Sequence, residues 1–141
     1  MENSDKISEN SDKILEYIKK NPGHTQSQIT YRLDIPQSTI KYHLLQLTKK
    51  NEIYSEKLFK THYFPVGIEH NEKIRFCIES NYNLSVIYEN CKNETSLEEI
   101  STDCNISKSI ASKRLQILEL MGAIKKIKVE KKIRFCKIDL I

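Results

Sequence analysis

Two stretches of the sequence, residues 34–53 (DIPQSTIKYHLLQLTKKNEI) and residues 105–124 (NISKSIASKRLQILELMGAI), align without a gap at a constant offset of 71 residues. Residues of the first stretch that recur identically in the second include Ile35, Ser38, Leu44, Leu47 and Ile53. A repeat of this length indicates that one supersecondary unit is built twice. Each copy has the pattern of a turn, an amphipathic helix and the start of a strand, so we expect two modules of one kind.

The helix in each copy is indicated by the spacing of its apolar residues. Ile40, Leu44 and Leu47 are separated by four and three residues, which places them on one face of a helix. We therefore predict helices over about residues 37–50 and 108–121. A turn, a helix and a following strand pair form the second half of a winged helix-turn-helix. The predicted fold class is mainly α with small β-wings, as two tandem winged helix-turn-helix domains.

Cap signals mark the helix starts in both copies. Thr25 with Gln28, and Ser96 with Glu99, have the spacing of a capping box, in which two side chains satisfy N–H groups at a helix N-terminus. Ser107 is expected to cap the second long helix. These signals support the two predicted modules independently of the apolar spacing.

A two-stranded wing is predicted after each long helix. The first covers residues 53–64 and has no glycine at its tip, so a longer turn is expected there. The second has strands at residues 124–129 and 132–138 on either side of a turn at residues 130–131. Apolar and basic residues alternate in its last strand, which is typical of a half-buried strand.

Composition divides the chain further. A polar stretch without aromatic residues precedes a helix that is expected to be capped near Ser11. After the first wing, a separate helix carries apolar residues such as Ile74 and Ile78 with no obvious burial in one module, and Asn83 is the expected cap of the next helix. The predicted division is a flexible polar tail at 1–10, an N-terminal winged helix at 11–67, a linker helix at 68–82 and a C-terminal winged helix at 83–141.

The charge of the chain is unevenly distributed, although the net charge is only +4. Residues 107–134 contain nine Lys and Arg against two Glu, a local charge of +7. A basic surface favours a polyanionic partner, since phosphate contacts dominate non-specific affinity for DNA. A solvated charged surface is the alternative interpretation, and the repeat favours DNA over it.

The residues expected to contact DNA are polar side chains on the outer faces of the two long helices, together with lysines of the wings. The last helix of a helix-turn-helix lies in the major groove with its N-terminal residues nearest the bases. Glutamine can pair with adenine, and lysine can donate to guanine or to phosphate. The predicted DNA-binding residues are Gln37, Ser38, Lys41, Tyr42 and Gln46 in the first helix, Lys57 and Lys60 in the first wing, Lys108, Ser109, Ser112 and Lys113 in the second helix, and Lys128, Lys131 and Lys132 in the second wing.

Other residues near these sites have expected roles as well. His43 is expected to pack in the core beside Leu44. The first copy is expected to carry more base readout and the second, which is more basic, more phosphate contact. Further phosphate contacts are expected from His62 in the first wing and from Lys125, Lys126 and Arg134 in the second.

Several other kinds of protein are disfavoured. The four cysteines are scattered, so we expect neither disulfides nor a metal site, and Cys91 is expected to pack in the core. The motifs of phosphate loops, serine hydrolases and zinc proteases are absent from the sequence, so we expect no enzyme and no cofactor. No apolar run approaches the roughly 18 residues that span a bilayer. Because the acidic N-terminus is also unlike a secretory signal, we expect a cytoplasmic protein with no membrane contact.

The segment NPGHTQSQITYRLDIPQSTIKYHLLQLTKKNEI and the following THYFPVG resemble archaeal winged-helix transcription regulators related to the ArsR and MarR groups. The resemblance covers roughly residues 11–140. It implies a regulator that binds promoter DNA, commonly as a dimer, with motility genes among the targets of some relatives. Two features depart from the pattern: Pro36 replaces the Ser or Thr usual before the recognition helix, and the cysteine spacing of metal-sensing ArsR proteins is absent. The matching motifs are Asn21-Pro22-Gly23, Ser38-Thr39-Ile40, Tyr42-His43-Leu44 and Tyr63-Phe64-Pro65.

Two alternatives to a sequence-specific regulator remain open. A tandem winged-helix protein-interaction module of the transcription machinery predicts apolar recognition faces. A non-specific architectural DNA-binding protein predicts basic wings without base readout. For the regulator, the expected partners are double-stranded DNA, a second copy in a homodimer and the basal transcription machinery. The apolar residues of the linker helix favour the homodimer over a pseudo-dimer made by the two modules of one chain.

Overall fold

The structure is a computed structural model that describes residues 2–140, with side chains described for residues 9–140. The chain divides into two compact units, residues 1–73 and residues 74–141, and each contains one copy of the repeat. The first unit holds α1 (Glu2–Lys20), α2 (Gln26–Leu33), α3 (Gln37–Lys49), β1 (Ile53–Lys57) and β2 (Thr61–Pro65). Helix α4 (His70–Glu79) crosses the division, and α5 (Tyr82–Asn90), α6 (Leu97–Cys104), α7 (Lys108–Met121), β3 (Ile124–Val129) and β4 (Lys132–Lys137) follow. These helices and two antiparallel hairpins confirm the predicted fold class.

The repeat of the sequence is also a repeat of structure. Helix α3 begins at Gln37 and α7 at Lys108, and α2, β1 and β2 precede α6, β3 and β4 by the same 71 residues. The turn before each long helix starts with a left-handed residue, Asp34 and Asn105, each with φ 53°. Asp and Asn adopt this conformation more readily than other non-glycine residues. Each copy therefore turns between its helices at the same position.

A buried apolar stripe anchors each long helix. Ile40, Leu44 and Leu47 of α3 are at most 2% exposed and pack in one cluster with buried isoleucines of α1 and α2. Leu115 and Leu118 of α7 are at most 1% exposed. The predicted apolar faces are confirmed, and burial of each such side chain stabilises the fold by roughly 1.5–3 kcal/mol.

The two wings differ in their turns. The β1–β2 hairpin closes through residues 58–60, whereas the β3–β4 hairpin closes through residues 130–131 alone. Both residues of the second turn have positive φ, 51° and 68°, as a type I′ hairpin turn requires. The longer turn expected for the first wing is confirmed. In each unit one residue before α2 or α6 also bridges to the second strand of the wing: His24 to Tyr63, and Thr95 to Phe135.

Two predicted helix starts are wrong. Helix α1 begins at Glu2 and not near Ser11, since no glycine or proline interrupts the sequence before Lys20. Helix α5 is capped by Asn81, whose side chain accepts from the Leu84 N–H at 3.2 Å, and not by Asn83. Met1 lies outside the described residues, and the flexibility of the polar tail stays a prediction.

The predicted caps of the repeated helices are present, with one difference. Thr25 Oγ1 accepts from the Gln28 N–H at 3.3 Å and Gln28 Oε1 accepts from the Thr25 N–H at 2.8 Å, which completes the capping box. Ser96 and Ser107 cap α6 and α7 as predicted. The Glu99 carboxylate, however, accepts from the Ser96 hydroxyl at 3.1 Å, so this pair is not a full repeat of the first box.

The apolar residues of α4 are buried within a single chain. Ile74, Cys77 and Ile78 are 1%, 2% and 3% exposed. Ile74 Cδ1 lies 3.7 Å from the position that a Cβ would take at Gly122. The expectation that these side chains are left uncovered is wrong, because the chain itself covers them. The apolar residues of α4 therefore no longer favour a homodimer, and the homodimer stays a prediction.

No disulfide joins the cysteines in the described part of the chain. All four are free thiols, and Cys91, which is fully buried near Leu84 and Ile87, packs in the core as predicted. Burial raises the pKa of its thiol to about 12, so it stays protonated at neutral pH. Among residues 2–140, no group of three or more His, Cys, Asp and Glu side chains could hold a metal ion, and no helix combines the length and apolarity needed to cross a membrane.

His62 ties the first wing to the turn after α1. Its ring is 5% exposed, Nδ1 lies 2.9 Å from the carbonyl oxygen of Gly23, and the Lys60 N–H donates to Nε2 at 3.1 Å. Because Nε2 accepts, Nδ1 carries the proton and donates to Gly23, so the ring is neutral. Burial lowers the pKa of His62, although the hydrogen bond to Gly23 opposes this. The expected phosphate contact by His62 is wrong, because the ring is buried.

We expect the free energy of unfolding to fall as the pH drops below 6.5, the usual pKa of histidine. Burial lowers the pKa of His24, His43 and His62 in the folded chain, so the unfolded chain binds protons first. The stability present above the usual pKa is therefore lost as the pH falls toward the folded value, by at most about 1.4 kcal/mol per pH unit for each histidine. Urea unfolding of the full chain at a series of pH values measures this.

The variant His62→Gln isolates the contribution of this ring. At alkaline pH it should be less stable than the native chain by a constant amount, since its hydrogen bonds are changed. In the acidic range its free energy of unfolding should fall less steeply with pH. If the free energy of unfolding fell equally steeply with pH in the two proteins, His62 would not contribute to the loss of stability in acid.

Candidate nucleic-acid interface

The outer face of α3 carries four of the residues predicted to contact DNA. Gln37, Ser38, Lys41 and Tyr42 are all exposed, and Ser38 and Tyr42 lie on the side opposite to the buried stripe. Tyr42 is 52% exposed, and its ring meets the His43 ring edge-on at a centroid distance of 5.2 Å. His43 is 3% exposed, which confirms that it packs in the core. Burial lowers the pKa of its imidazole.

The two long helices begin differently. Pro36 occupies the N-cap position of α3, with φ −52° and ψ 141°, and no side chain of the described residues caps this helix. In α7, Ser107 Oγ accepts from the Ile110 N–H at 3.2 Å. The first N–H groups of a helix attract anions when no side chain satisfies them. The N-terminus of α3 is therefore a more favourable binding position for a phosphate than the N-terminus of α7.

Sequence reasoning missed Leu45 on the outer face of α3. Its side chain is 53% exposed, whereas Gln46, which is predicted to lie on this face, is half-buried. At 100° per residue, Leu45 falls between Lys41 and Tyr42 around the helix axis, near the middle of the face. The four-residue spacing from Gln37 through Lys41 to Leu45 is the signal that could have identified it.

The outer face of α7 is built at the same positions of the repeat. Lys108, Ser109, Ser112 and Lys113 are exposed, as predicted for a face that points away from the core. Lys108 Nζ lies 3.8 Å from a carboxylate oxygen of Glu98. Both side chains are well exposed, so this pair holds Lys108 only weakly. The face offers two cations and two hydroxyl groups.

The wings differ strongly in free positive charge. In the first wing, Lys57 and Lys60 are exposed. Glu56 of the same wing pairs with Lys73 at 3.6 Å, and Lys73 Nζ lies 4.0 Å from the centre of the Tyr54 ring. In the second wing, four lysines are exposed without an ion pair to any described residue: Lys125, Lys128, Lys131 and Lys132. The second wing is thus the more cationic surface.

The remaining basic residues of the second wing are paired. Lys126 Nζ lies 3.7 Å from Glu119, and Arg134 Nη1 lies 3.9 Å from Glu99. Between α7 and the wing lies a groove of about 890 Å³, with Leu115 in its lining. Ser112 and Gln116 of α7 and four basic residues of the wing also line it: Lys126, Lys131, Lys132 and Arg134. In the second unit, predicted helix and wing residues therefore share one concave, cationic surface.

Comparison with known proteins agrees with this geometry. Residues 8–76 match a family model described as an N-terminal HTH (helix-turn-helix) domain. Residues 8–76 are therefore similar to a helix-turn-helix domain of this family. A protein of Methanocaldococcus jannaschii described as an uncharacterised HTH-type transcriptional regulator is 27% identical over 113 residues. That alignment covers 79% of this chain and 29% of that protein, so the chain spans less than a third of the relative that it matches.

Together these findings confirm the resemblance of the chain to archaeal helix-turn-helix transcription regulators. The matched residues include the whole of α2 and α3, and with them the outer face of α3. Helices α5 to α7 lie outside the matched residues. Their assignment to a second winged helix-turn-helix therefore rests on their order, their caps and their buried stripe.

Replacing three free lysines of the second wing should weaken the salt dependence of duplex DNA binding. Each phosphate contact contributes about 0.9 to the slope of log Kobs against log salt concentration. The triple variant Lys128→Gln, Lys131→Gln and Lys132→Gln should therefore lower the slope by as much as about 2.7. Fluorescence anisotropy titrations of a labelled duplex at several salt concentrations measure it.

The matched control changes three exposed lysines of α1, namely Lys13, Lys19 and Lys20, to Gln. It removes the same net charge from a helix that carries none of the predicted DNA contacts. Equal slopes for the two triple variants would show that the second wing does not touch phosphates.

Proposed function

We propose that this chain is a sequence-specific DNA-binding regulator of transcription that acts on promoter DNA in the cytoplasm and catalyses no reaction. The outer faces of α3 and α7 lie in major grooves, and the wings contact phosphates. The observation that carries the proposal is the exposed polar face at the same position of both copies, opposite a buried stripe. Major-groove readout by a helix requires such a face, because the bases present hydrogen-bonding groups there.

The two copies of the repeat have different roles in DNA binding. In α3, Gln37 is suited to pair with adenine and Lys41 to donate to guanine. In α7, Lys108 and Lys113 are suited to phosphates, which position a protein on DNA without selecting a sequence. The first copy provides most of the base readout and the second, with its cationic wing, most of the phosphate contact.

Neither alternative function accounts for both copies. A protein-interaction module of the transcription machinery predicts apolar recognition faces, whereas polar residues predominate on the outer faces of α3 and α7. A non-specific architectural protein accounts for the second wing, but it gives no role to Gln37. The basal transcription machinery and a second copy of the chain remain proposed partners of the regulator. Promoters of motility genes, which the resemblance implies, are the first natural targets to test.

In vitro selection from a random duplex library, with the full chain in reducing buffer with a chelator, tests the proposal. Enrichment of one motif is expected, since base readout selects sequences. A palindromic motif would indicate a homodimer, and an asymmetric or direct-repeat motif would indicate two modules of one chain acting together. Salt-sensitive binding without any motif would overturn sequence-specific regulation in favour of an architectural role. An absence of binding would overturn DNA binding itself.

Single substitutions on α3 should then relax the selected motif. Gln37→Ala and Lys41→Ala should each reduce the preference for the selected base at one position, by about 5- to 150-fold for a good bidentate contact. Competition binding against duplexes with one altered base pair measures this. Lys13→Ala, an exposed lysine of α1, is the control and should keep every preference. Unchanged preferences in the α3 variants would exclude these side chains from base readout.

A further inference from the structure

The outer face of α3 is not entirely polar. Leu45 is 53% exposed and Tyr42, three residues before it, is 52% exposed. Residues three apart are neighbours on a helix surface, so the two side chains form a small apolar patch. Lys41 and Lys49, four residues to either side of Leu45, are exposed on the same face. The apolar patch is therefore flanked by positive charge.

The patch belongs to the first copy alone. At the offset of 71 residues, Leu45 corresponds to Gln116 and Tyr42 to Lys113, and both counterparts are exposed polar residues. The Tyr42 ring rests edge-on against the buried His43 ring, with 74° between the ring planes. This contact limits the directions that the Tyr42 ring can take. The fold does not require an apolar residue at either position, since the second copy builds the same helix without one.

Thymine is the base that an exposed leucine can recognise in the major groove. Its C5-methyl group is the apolar feature of the base-pair edges there, whereas the other bases offer hydrogen-bond donors and acceptors. A leucine placed against those polar groups would remove water from them without replacing its hydrogen bonds, which costs free energy. Lys49 would hold a flanking phosphate and keep the patch against the bases, while Lys41 reads the neighbouring base pair.

We propose that Leu45, supported by Tyr42, reads thymine methyl groups and gives the first copy a preference for thymine at a fixed position of its site. This inference rests on the proposed function, because it assumes that α3 lies in the major groove. Leu45 lies about 12 Å along the helix axis from Gln37. The methyl contact therefore falls on a different base pair from the one that Gln37 reads.

The test replaces thymine by deoxyuracil, one position at a time, in the duplex selected by the full chain. Deoxyuracil pairs like thymine and lacks only the methyl group. At the position read by Leu45, native protein should bind the deoxyuracil duplex about fourfold more weakly, the value of one buried methyl group. Leu45→Ala should bind both duplexes equally at that position and keep the preference at the base pair read by Gln37.

Leu120→Ala is the matched control. Leu120 is a leucine of α7 that is 78% exposed, and its loss should leave the fourfold effect unchanged. Leu45→Gln introduces the residue of the second copy and provides a second variant whose folding the repeat itself supports. Circular dichroism checks that each variant is folded.

The outcomes separate the two proposals. If no motif is selected, the proposed function fails and this inference falls with it. If a motif is selected but no deoxyuracil substitution weakens binding, or if Leu45→Ala and Leu45→Gln retain the native effect, only the inference about Leu45 is overturned. A fourfold effect that disappears in both Leu45 variants and persists in Leu120→Ala supports it.

Discussion

Burial of the apolar stripe on each long helix is the constraint on which the rest of each unit depends. Once Ile40, Leu44 and Leu47 are buried, the 100° step of the helix fixes the direction of every other side chain of α3. Ser38 and Tyr42 are then exposed whatever their chemistry. The same stripe sets the start of the wing, because Ile53, the first residue of β1, packs into the same cluster.

Local signals were sufficient for most of the architecture because they are repeated. Thr25, Ser96 and Ser107 cap helices as their spacing predicts, since a cap depends only on residues within one turn. The start of α5 could not be predicted in the same way. Asn81 and Asn83 offer the same side chain, and the choice depends on where α4 ends. Ile78, one residue before that end, is buried, and the sequence alone does not show which residues of α4 are packed in this way.

The polar residues of the candidate site could be predicted from the sequence. The exposure of a side chain could not be predicted where it depends on contacts between residues distant in the sequence. His62 resembles a surface residue of a wing, yet it is buried against the carbonyl of Gly23, which is 39 residues away along the chain. Leu45 and Gln46 are adjacent, and the sequence places three leucines, at 44, 45 and 47, beside each other. Which of them points outward depends on the phase of the helix relative to the core, and the packed structure sets that phase.

Comparison of the two copies distinguishes the residues that the fold requires from the residues that determine the chemistry of the surface. Of the residues that recur identically, Leu44, Leu47 and Ile53 are buried in the first copy, and Leu115 and Leu118 are buried in the second. The exposed positions of the two long helices mostly differ in residue type. A helix-turn-helix can therefore keep its interior while its outer face changes, because the interior alone sets the direction of that face. The shared interior and the two different outer faces fit the proposal that the first copy reads DNA bases and the second contacts phosphates.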